Sequence, residues 1–423
     1  MKLKRALALT TCMLMVFPTA GCKKNLPIDT AAPTKNTSSD TSAELAPEAG
    51  AKLIFRTSDE DFGKAVAEQF KSKYGVTVTV EKGGLYDSQK AALEGPSGKG
   101  PDVFMCPHDK TREGIQAGIF LPLDNSVVQN LNTEISPVAM KTVTVDNKVY
   151  GVPVSIETYV LFYNKKLVKT PIATYEQLAK EAKDYNIPEK NKFWFLFDAS
   201  TGSPIYPMLS TYGFNLFGAD GTDDNQPGFN TPEFEKGLEV LKSYHEIVPI
   251  KANDLANTDF LNTQFINGNT GYIMSGPWDA KTFKTAGVDI GVVGMPTYDG
   301  HQQKSFAFVQ NAHVSTYTKY PKAAQLFAQY LITNESAELL YSKASKITSR
   351  KDISKVKGLE QDEVLNAVVK AFDRSVPMPS AKRISYYWTI AADIGPAVFD
   401  GKLTPKQGAE KAQQEWESFL KTE

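Results

Sequence analysis

The sequence predicts an α/β fold with two lobes, and three observations support that prediction. Residues 51–423 are too many for one simple core and suit two. Predicted strands and helices alternate over residues 52–123, a pattern that indicates a mainly parallel sheet flanked by helices. In residues 147–167, two predicted strands meet at the carboxylate of Glu157, which suggests a segment that crosses from one lobe to the other.

The first lobe begins with alternating strands and helices. The predicted elements are, in order, strand 53–55, helix 60–74, strand 76–80, helix 87–93 and strand 102–105. Ligands of parallel sheets bind at the carboxyl ends of strands, so Asp109 and Lys110, just after the last of these strands, indicate a polar site. An alternative is that Asp109 only caps the helix that follows it.

Glu157 lies between two apolar runs. Apolar residues alternate before it, and an almost continuous apolar segment follows it. Burying an unpaired carboxylate costs several kcal/mol, so Glu157 is expected at a cleft rather than in a core. The alternative is a surface glutamate in a β-turn.

Two tryptophans suggest sugar binding. Trp278 follows a predicted strand, Gly276 and Pro277, which places its indole at the end of a sheet; burial between helix and sheet is the alternative. Tyr386, Tyr387 and Trp388 are consecutive, and because helical residues are about 100° apart, at least one faces outward or into a cleft. Aromatic faces with carboxylates nearby match the apolar faces and hydroxyls of sugars.

Three motifs together resemble the maltodextrin-binding proteins of bacterial ABC importers, within extracellular solute-binding protein family 1. They are YGVPVSIETYVLFYNKKLV from residue 150, GYIMSGPW from residue 271, and YYW from residue 386. The resemblance runs from about residue 52 to the C-terminus. It implies a periplasmic-binding-protein-like fold, in which three interlobe crossings, near Glu157, residues 305–311 and residues 358–363, act as a hinge.

The resemblance also implies the site. By that likeness, the ligand-binding residues are Asp87, Asp109, Lys110, Glu157, Tyr206, Trp278, Tyr386, Tyr387 and Trp388. Tyr206 could equally be a core residue. The chain departs from the family pattern at Cys106, where the maltose binder has tryptophan, at Lys110, where it has arginine, and near Thr201 and Ser203, where the family often has glutamate and tyrosine.

The N-terminus predicts export and a lipid anchor. Basic residues precede an apolar run, and Thr19-Ala-Gly-Cys22 resembles a bacterial lipoprotein signal with Cys22 as the lipidated residue; an ordinary signal peptide is the alternative. Residues 23–50 are poor in large apolar residues and suit a flexible tether. The resulting domains are signal 1–22, tether 23–50, first lobe 51–155 plus 312–358, and second lobe 160–306 plus 363–423.

Composition excludes several classes. The formal net charge of −1 gives no basic excess for nucleic acid, the four histidines show no metal spacing, and no cofactor is predicted. Cys106 is read as a partly buried thiol, with a reactive nucleophile as the alternative. We expect a monomeric, extracytoplasmic lipoprotein that delivers maltodextrin-type oligosaccharides to the transmembrane subunits of an importer.

Other functions stay open. One is the same fold binding galacto- or cello-oligosaccharides or cyclodextrin. Another is a glycoside hydrolase with Asp109 and Glu157 as paired carboxylates, although both belong to segments that match a binding family. A surface adhesion protein is disfavoured because the sequence has no repeats.

Overall fold

Two principal β-sheets form the framework. The structure is a computed structural model that describes residues 45–83, 88–359 and 361–423. The predicted signal peptide, most of the predicted tether and Asp87 lie outside the described residues.

The strands, in chain order, are β1 (Lys52–Thr57), β2 (Thr77–Lys82), β3 (Val103–Pro107), β4 (Thr144–Val145), β5 (Lys148–Val149), β6 (Val152–Thr158), β7 (Val160–Asn164), β8 (Phe195–Leu196), β9 (Tyr272–Ser275), β10 (Ile290–Val293), β11 (Thr297–Tyr298), β12 (His301–Gln302), β13 (Phe306–Val314), β14 (Ile347–Thr348) and β15 (Val376–Pro377).

The helices are α1 (Glu60–Tyr74), α2 (Ser88–Glu94), α3 (Thr111–Gln116), α4 (Asn125–Glu134), α5 (Pro137–Lys141), α6 (Tyr175–Tyr185), α7 (Gly202–Leu209), α8 (Pro232–Ile247), α9 (Ala252–Leu255), α10 (Thr258–Ile266), α11 (Ala280–Thr285), α12 (Pro321–Tyr330), α13 (Asn334–Ala344), α14 (Glu363–Phe372), α15 (Ile384–Phe399) and α16 (Pro405–Thr422).

The first sheet has seven strands in the order β14-β6-β13-β3-β1-β2, with β15 paired to β13. The second has four strands in the order β10-β7-β9-β8. Only Tyr159 separates β6 of the first sheet from β7 of the second. The α/β class is therefore confirmed, and the chain passes directly from one sheet to the other beside Glu157.

Strand direction corrects the expectation of mainly parallel sheets. In the first sheet, β1 runs parallel to β2 and β3, but β13 is antiparallel to β3 and β6. In the second, β7 is antiparallel to β9 and β10, while β8 and β9 are parallel. The mixed strand directions follow from the route of the chain. A strand that arrives from the other sheet starts at the edge between the two sheets, and is therefore antiparallel to the strands that end at that edge.

Local sequence signals account for most helix boundaries. Helix α1 buries Phe62, Val66 and Phe70 on one face and ends at Gly75, whose φ of 72° is left-handed and favours glycine. Thr231 caps α8, and Thr404 forms a capping box with Gln407 at α16. The predicted helix over residues 60–74 is confirmed.

One detail differs from the sequence-based expectations: residues 306–311, predicted to belong to a crossing, lie in β13 of the first sheet. Residues 193–200 contain only the short strand β8, although their phenylalanines are buried. Leu420 of α16 is 36% exposed. Within the described part of the chain, no helix combines the length and apolar character needed to cross a bilayer.

Candidate functional site

Four charged residues emerge at one edge of the first sheet. Asp59 follows β1 by two residues, Asp109 follows β3 by two residues, and Glu157 is next to last in β6. These strands run in one direction, because β1 is parallel to β3 and β13 is antiparallel to both β3 and β6. Lys346 immediately precedes β14, which runs antiparallel to β6 and therefore starts at the same edge. Topology, not sequence proximity, gathers these charges.

Glu157 is a half-buried carboxylate in this edge. It pairs with Phe308 in the β6–β13 register, and both neighbouring residues, Ile156 and Thr158, are buried. Burial raises the pKa of its carboxyl group; the ammonium of Lys346 acts in the opposite direction, and the carboxylate of Asp59 adds to the rise. Glu157 is therefore a partly desolvated acceptor, as the sequence suggested for a residue at a cleft.

A cavity of about 600 Å³ opens beside Glu157. Its walls come from the connection between α13 and β14 of the first sheet and from the segment after β9 of the second. The lining residues are Glu157, Pro277, Trp278, Lys281, Thr282, Thr285, Ala286, Ala344, Ser345, Lys346 and Ile347. A carboxylate, two ammonium groups and an indole thus share one opening between the two sheets.

Trp278 presents a partly uncovered indole to this cavity. It follows β9 in a 3-10 turn, Pro277–Asp279, and Ser275 Oγ donates to the Asp279 carboxylate across the turn. The indole is 45% exposed and packs edge-to-face against Tyr159, with ring centroids 5.5 Å apart. Gly276 lies beneath it, since a Cβ there would fall 2.1 Å from the indole.

Tyr159 is a site residue that the sequence analysis did not single out. It is the one residue between β6 and β7, and its ring lies between Trp278 and Phe308, with centroids 5.5 and 6.2 Å away. Burial, helped by the nearby carboxylate of Asp198, raises the pKa of Tyr159 to about 12, so its hydroxyl stays protonated. Its position two residues after Glu157, at the predicted junction of two strands, was the available signal.

Asp109 and Lys110 are half-buried in a 3-10 turn directly after β3. Helix α3 begins later, at Thr111, so Asp109 is not its N-cap. Burial disfavours the ammonium of Lys110, but the carboxylates of Asp109 and Glu113 outweigh it and raise the lysine pKa. Of the described residues, Glu157 and Trp278 line the 600 Å³ cavity, whereas Asp109, Lys110 and Trp388 do not.

His108 fixes the turn that carries Asp109 and Lys110. Its Nδ1 accepts the Val309 N–H at 3.1 Å, so Nε2 carries the proton and donates to the Met378 carbonyl at 2.9 Å. Burial lowers the pKa of this imidazole. His108 is therefore a buried, neutral support that links β13 to the segment after β15.

The three consecutive aromatics of α15 face different surroundings. Tyr387 is fully buried, and its hydroxyl donates to the Gly202 carbonyl at 2.7 Å. Tyr386 packs on Phe419, with ring centroids 4.9 Å apart. Trp388 is half-buried and stands edge-on to Phe306 at 6.1 Å. Tyr386 and Trp388 are both half-buried, but the ring of Tyr386 stacks on Phe419, so Trp388 is the better candidate for a stacking surface.

Tyr206 is a core residue in this structure. Its ring is 2% exposed and stacks on Phe306 at a centroid distance of 3.7 Å. Thr201, by contrast, is exposed, and its hydroxyl donates to Asp198 at 3.1 Å. Tyr206 and Tyr387 are thus buried, which favours the core-residue alternative for Tyr206, and their role in ligand binding stays a prediction. Cys106 is fully buried rather than partly buried.

The sequence matches the family model for bacterial extracellular solute-binding proteins over residues 65–367. The chain belongs to this family. Two Bacillus subtilis relatives are each 28% identical: a maltodextrin-binding protein, over 85% of this chain and 88% of its own length, and a galactooligosaccharide-binding protein, over 83% and 85%. A maltooligosaccharide ABC transporter solute-binding lipoprotein of Streptococcus pneumoniae is 30% identical over 82% of this chain and 83% of its own.

Solved structures show the same architecture. A cyclo/maltodextrin-binding protein complexed with maltotetraose matches with a TM-score of 0.79 and 31% identity, over 88% of this chain and 97% of that one. MalX from Streptococcus pneumoniae, in complex with maltopentaose, matches with a TM-score of 0.69 and 28% identity, over 87% and 100%. The fold is therefore the two-lobed fold of these solute-binding proteins.

Proposed function

We propose that this member of the solute-binding family binds a maltodextrin-type oligosaccharide between its two sheets and delivers it to an ABC importer. The observation that carries the proposal is the indole of Trp278, 45% exposed at a cavity that also contains the Glu157 carboxylate. A half-exposed indole beside a carboxylate offers an apolar face and a hydrogen-bond acceptor, and an apolar sugar face with hydroxyls at its rim fits the pair.

The proposed site uses both lobes. Trp278 supplies one stacking surface from the second sheet, and Trp388, half-buried against Phe306, supplies another. Glu157, Asp109 and Lys110 supply hydrogen-bonding groups from the edge of the first sheet. Two separate aromatic surfaces favour a linear or cyclic α-glucan of three or more units over a single hexose, which would cover only one of them.

Closure of the lobes on the ligand follows from this arrangement. A ligand shifts an open–closed equilibrium only by its different affinity for the two states. An oligosaccharide that contacts both Glu157 and Trp278 gains those contacts together only when the lobes approach. The proposed hinge is the set of interlobe crossings, with first lobe 51–155 plus 312–358 and second lobe 160–306 plus 363–423.

A second candidate is a galacto-oligosaccharide in the same cavity. It is supported by the galactooligosaccharide-binding relative and by two departures from the maltodextrin pattern at the edge of the first sheet. Cys106 replaces a stacking tryptophan, and Lys110 replaces the planar fork of an arginine with a point charge. Both changes weaken recognition that is specific to maltose.

We infer that the protein is a carrier and not an enzyme, and that Cys22 anchors it by a lipid to the outer face of the cell membrane. The solute-binding family and the named relatives support a role in transport. The lipoprotein relative supports the anchor, with residues 23–50 as its tether. We propose that the protein is a monomer and that its partners are the sugar and the importer's transmembrane subunits.

One calorimetric screen tests the proposal. The protein is titrated with glucose, maltose, maltotriose, maltotetraose, and cello- and galacto-oligosaccharides, while scattering follows compaction. We expect the tightest binding and the largest compaction with malto-oligosaccharides of three or more units. Strongest binding to glucose would overturn the proposal, and strongest binding to galacto-oligosaccharides would select the second candidate. Release of smaller sugars from maltotriose would overturn the carrier assignment.

A further inference from the structure

Lys346 reaches the cavity because the chain turns sharply after α13. Ser345 ends that helix with a φ of 55°, a left-handed conformation that is uncommon outside glycine. Its N–H donates to the Tyr341 carbonyl at 2.9 Å, which closes the helix. The next residue, Lys346, then starts at the edge of the first sheet, and both residues line the cavity with Trp278.

The ammonium of Lys346 forms an ion pair with a carboxylate that is distant in sequence. Its Nζ lies 2.7 Å from Asp59 Oδ2, and the two side chains are only 21% and 23% exposed. Asp59 stands just before α1, where an aspartate normally caps the helix, yet its side chain makes no capping hydrogen bond. The carboxylate is directed at Lys346 instead, which fixes the position of the ammonium.

Lys346 retains hydrogen-bonding capacity. An ammonium has three N–H donors, and among the residues that the structure describes Asp59 is its one hydrogen-bond partner. Glu157 lines the same cavity and feels the positive charge of Lys346. A donor and an acceptor thus lie on the first-sheet side, with the indole of Trp278 on the other.

We propose that Lys346 is a sugar-binding residue, whose ammonium donates directly to hydroxyls of the ring that stacks on Trp278, beside the acceptor Glu157. This proposal rests on the proposed function, since it assumes an oligosaccharide in this cavity. A hydroxyl that donates to a carboxylate and accepts from an ammonium satisfies both of its roles. Lys346 therefore contributes to selection for a polyhydroxylated ligand over an apolar one.

The test is a calorimetric titration of maltotetraose into the parent, Lys346→Met and Lys343→Met proteins. Lys343 is the matched control: it is exposed near the end of α13, three residues before Lys346, and does not line the cavity. Removing a charge-assisted hydrogen bond should weaken binding about ten- to hundred-fold in Lys346→Met. Lys343→Met should bind like the parent.

The outcomes separate the two proposals. If the parent binds no oligosaccharide, the proposed function fails. If the parent binds but Lys346→Met binds equally tightly, the role of Lys346 fails alone. Thermal melting checks that each variant is folded, and Lys346→Leu, which also removes the ammonium and its N–H donors, serves in the same way if Lys346→Met does not fold.

A double-mutant cycle distinguishes a hydrogen bond from Lys346 to the sugar from an indirect effect of Lys346 through the position of Asp59. Lys346→Met is also measured in the Asp59→Asn background, where the ion pair is already broken. A further loss of several-fold or more in that background indicates that Lys346 bonds to the sugar itself. Equal affinities of Asp59→Asn and the double variant would show that Lys346 acts only through Asp59, and would overturn direct donation.

Discussion

Replacing Trp278 with alanine is expected to weaken sugar binding strongly, by an amount set by the exposed part of the indole. A tryptophan side chain buries up to about 250 Å² when fully covered. Because the indole is 45% exposed, a ligand could cover roughly 100 Å² of it. At about 25 cal/mol per Å², that is about 2.5 kcal/mol, or a loss in affinity of about 60-fold.

The stability cost is set by the covered part of the ring. The covered part is roughly 140 Å², which corresponds to about 3 kcal/mol, and the edge-to-face contact with Tyr159 adds about 1 kcal/mol. The variant should therefore melt cooperatively at a lower temperature than the parent. Affinity for maltotetraose is measured by titration calorimetry, and the unfolding midpoint by circular dichroism. Unchanged affinity for every oligosaccharide that the parent binds would refute the assignment of Trp278.

Three further predictions concern different parts of the chain. Gly276→Ala should lower sugar affinity as Trp278→Ala does, because the new Cβ would lie 2.1 Å from the indole and displace it, although the backbone φ of −113° tolerates alanine. When Trp278 is already alanine, Gly276→Ala should have no added effect on affinity. Burial lowers the pKa of His313 from 6.5 to about 4, so its contribution to stability is complete above pH 6.5 and is lost as the pH falls toward 4. The expected loss in the free energy of unfolding is about 3 kcal/mol, measured by denaturant titration at each pH. His313→Phe should reduce the dependence of the free energy of unfolding on pH in this range. An equal pH dependence in both proteins would contradict this prediction. Cys22→Ser should move the protein from the membrane fraction to the medium and leave its sugar affinity unchanged; retention in the membrane would indicate another anchor.

Local sequence signals were enough to predict helix α1 and the general character of the site. Helix α1 is predictable because Phe62, Val66 and Phe70 are four residues apart and Gly75 follows them, and these signals act within one or two turns of the chain. Trp278 is predictable as a partly uncovered residue because Gly276 and Pro277 end the preceding strand locally. Glu157 is predictable at a junction because a carboxylate interrupts an apolar segment.

Which residues share the cavity depends on contacts between distant parts of the chain. Periodicity requires Tyr386, Tyr387 and Trp388 to face different ways, but Gly202 and Phe419, far away in sequence, determine which ring is covered. The directions of the strands likewise depend on the route of the chain between the two sheets.

Lys346 illustrates the limit most clearly. Its partner Asp59 is 287 residues away, and a lysine after a helix gives no local signal of such a pair. Spacing, capping and turn preferences arise from interactions between residues a few positions apart. A pairing of distant charges depends instead on how the helices and sheets pack, which is fixed only when the whole chain has folded.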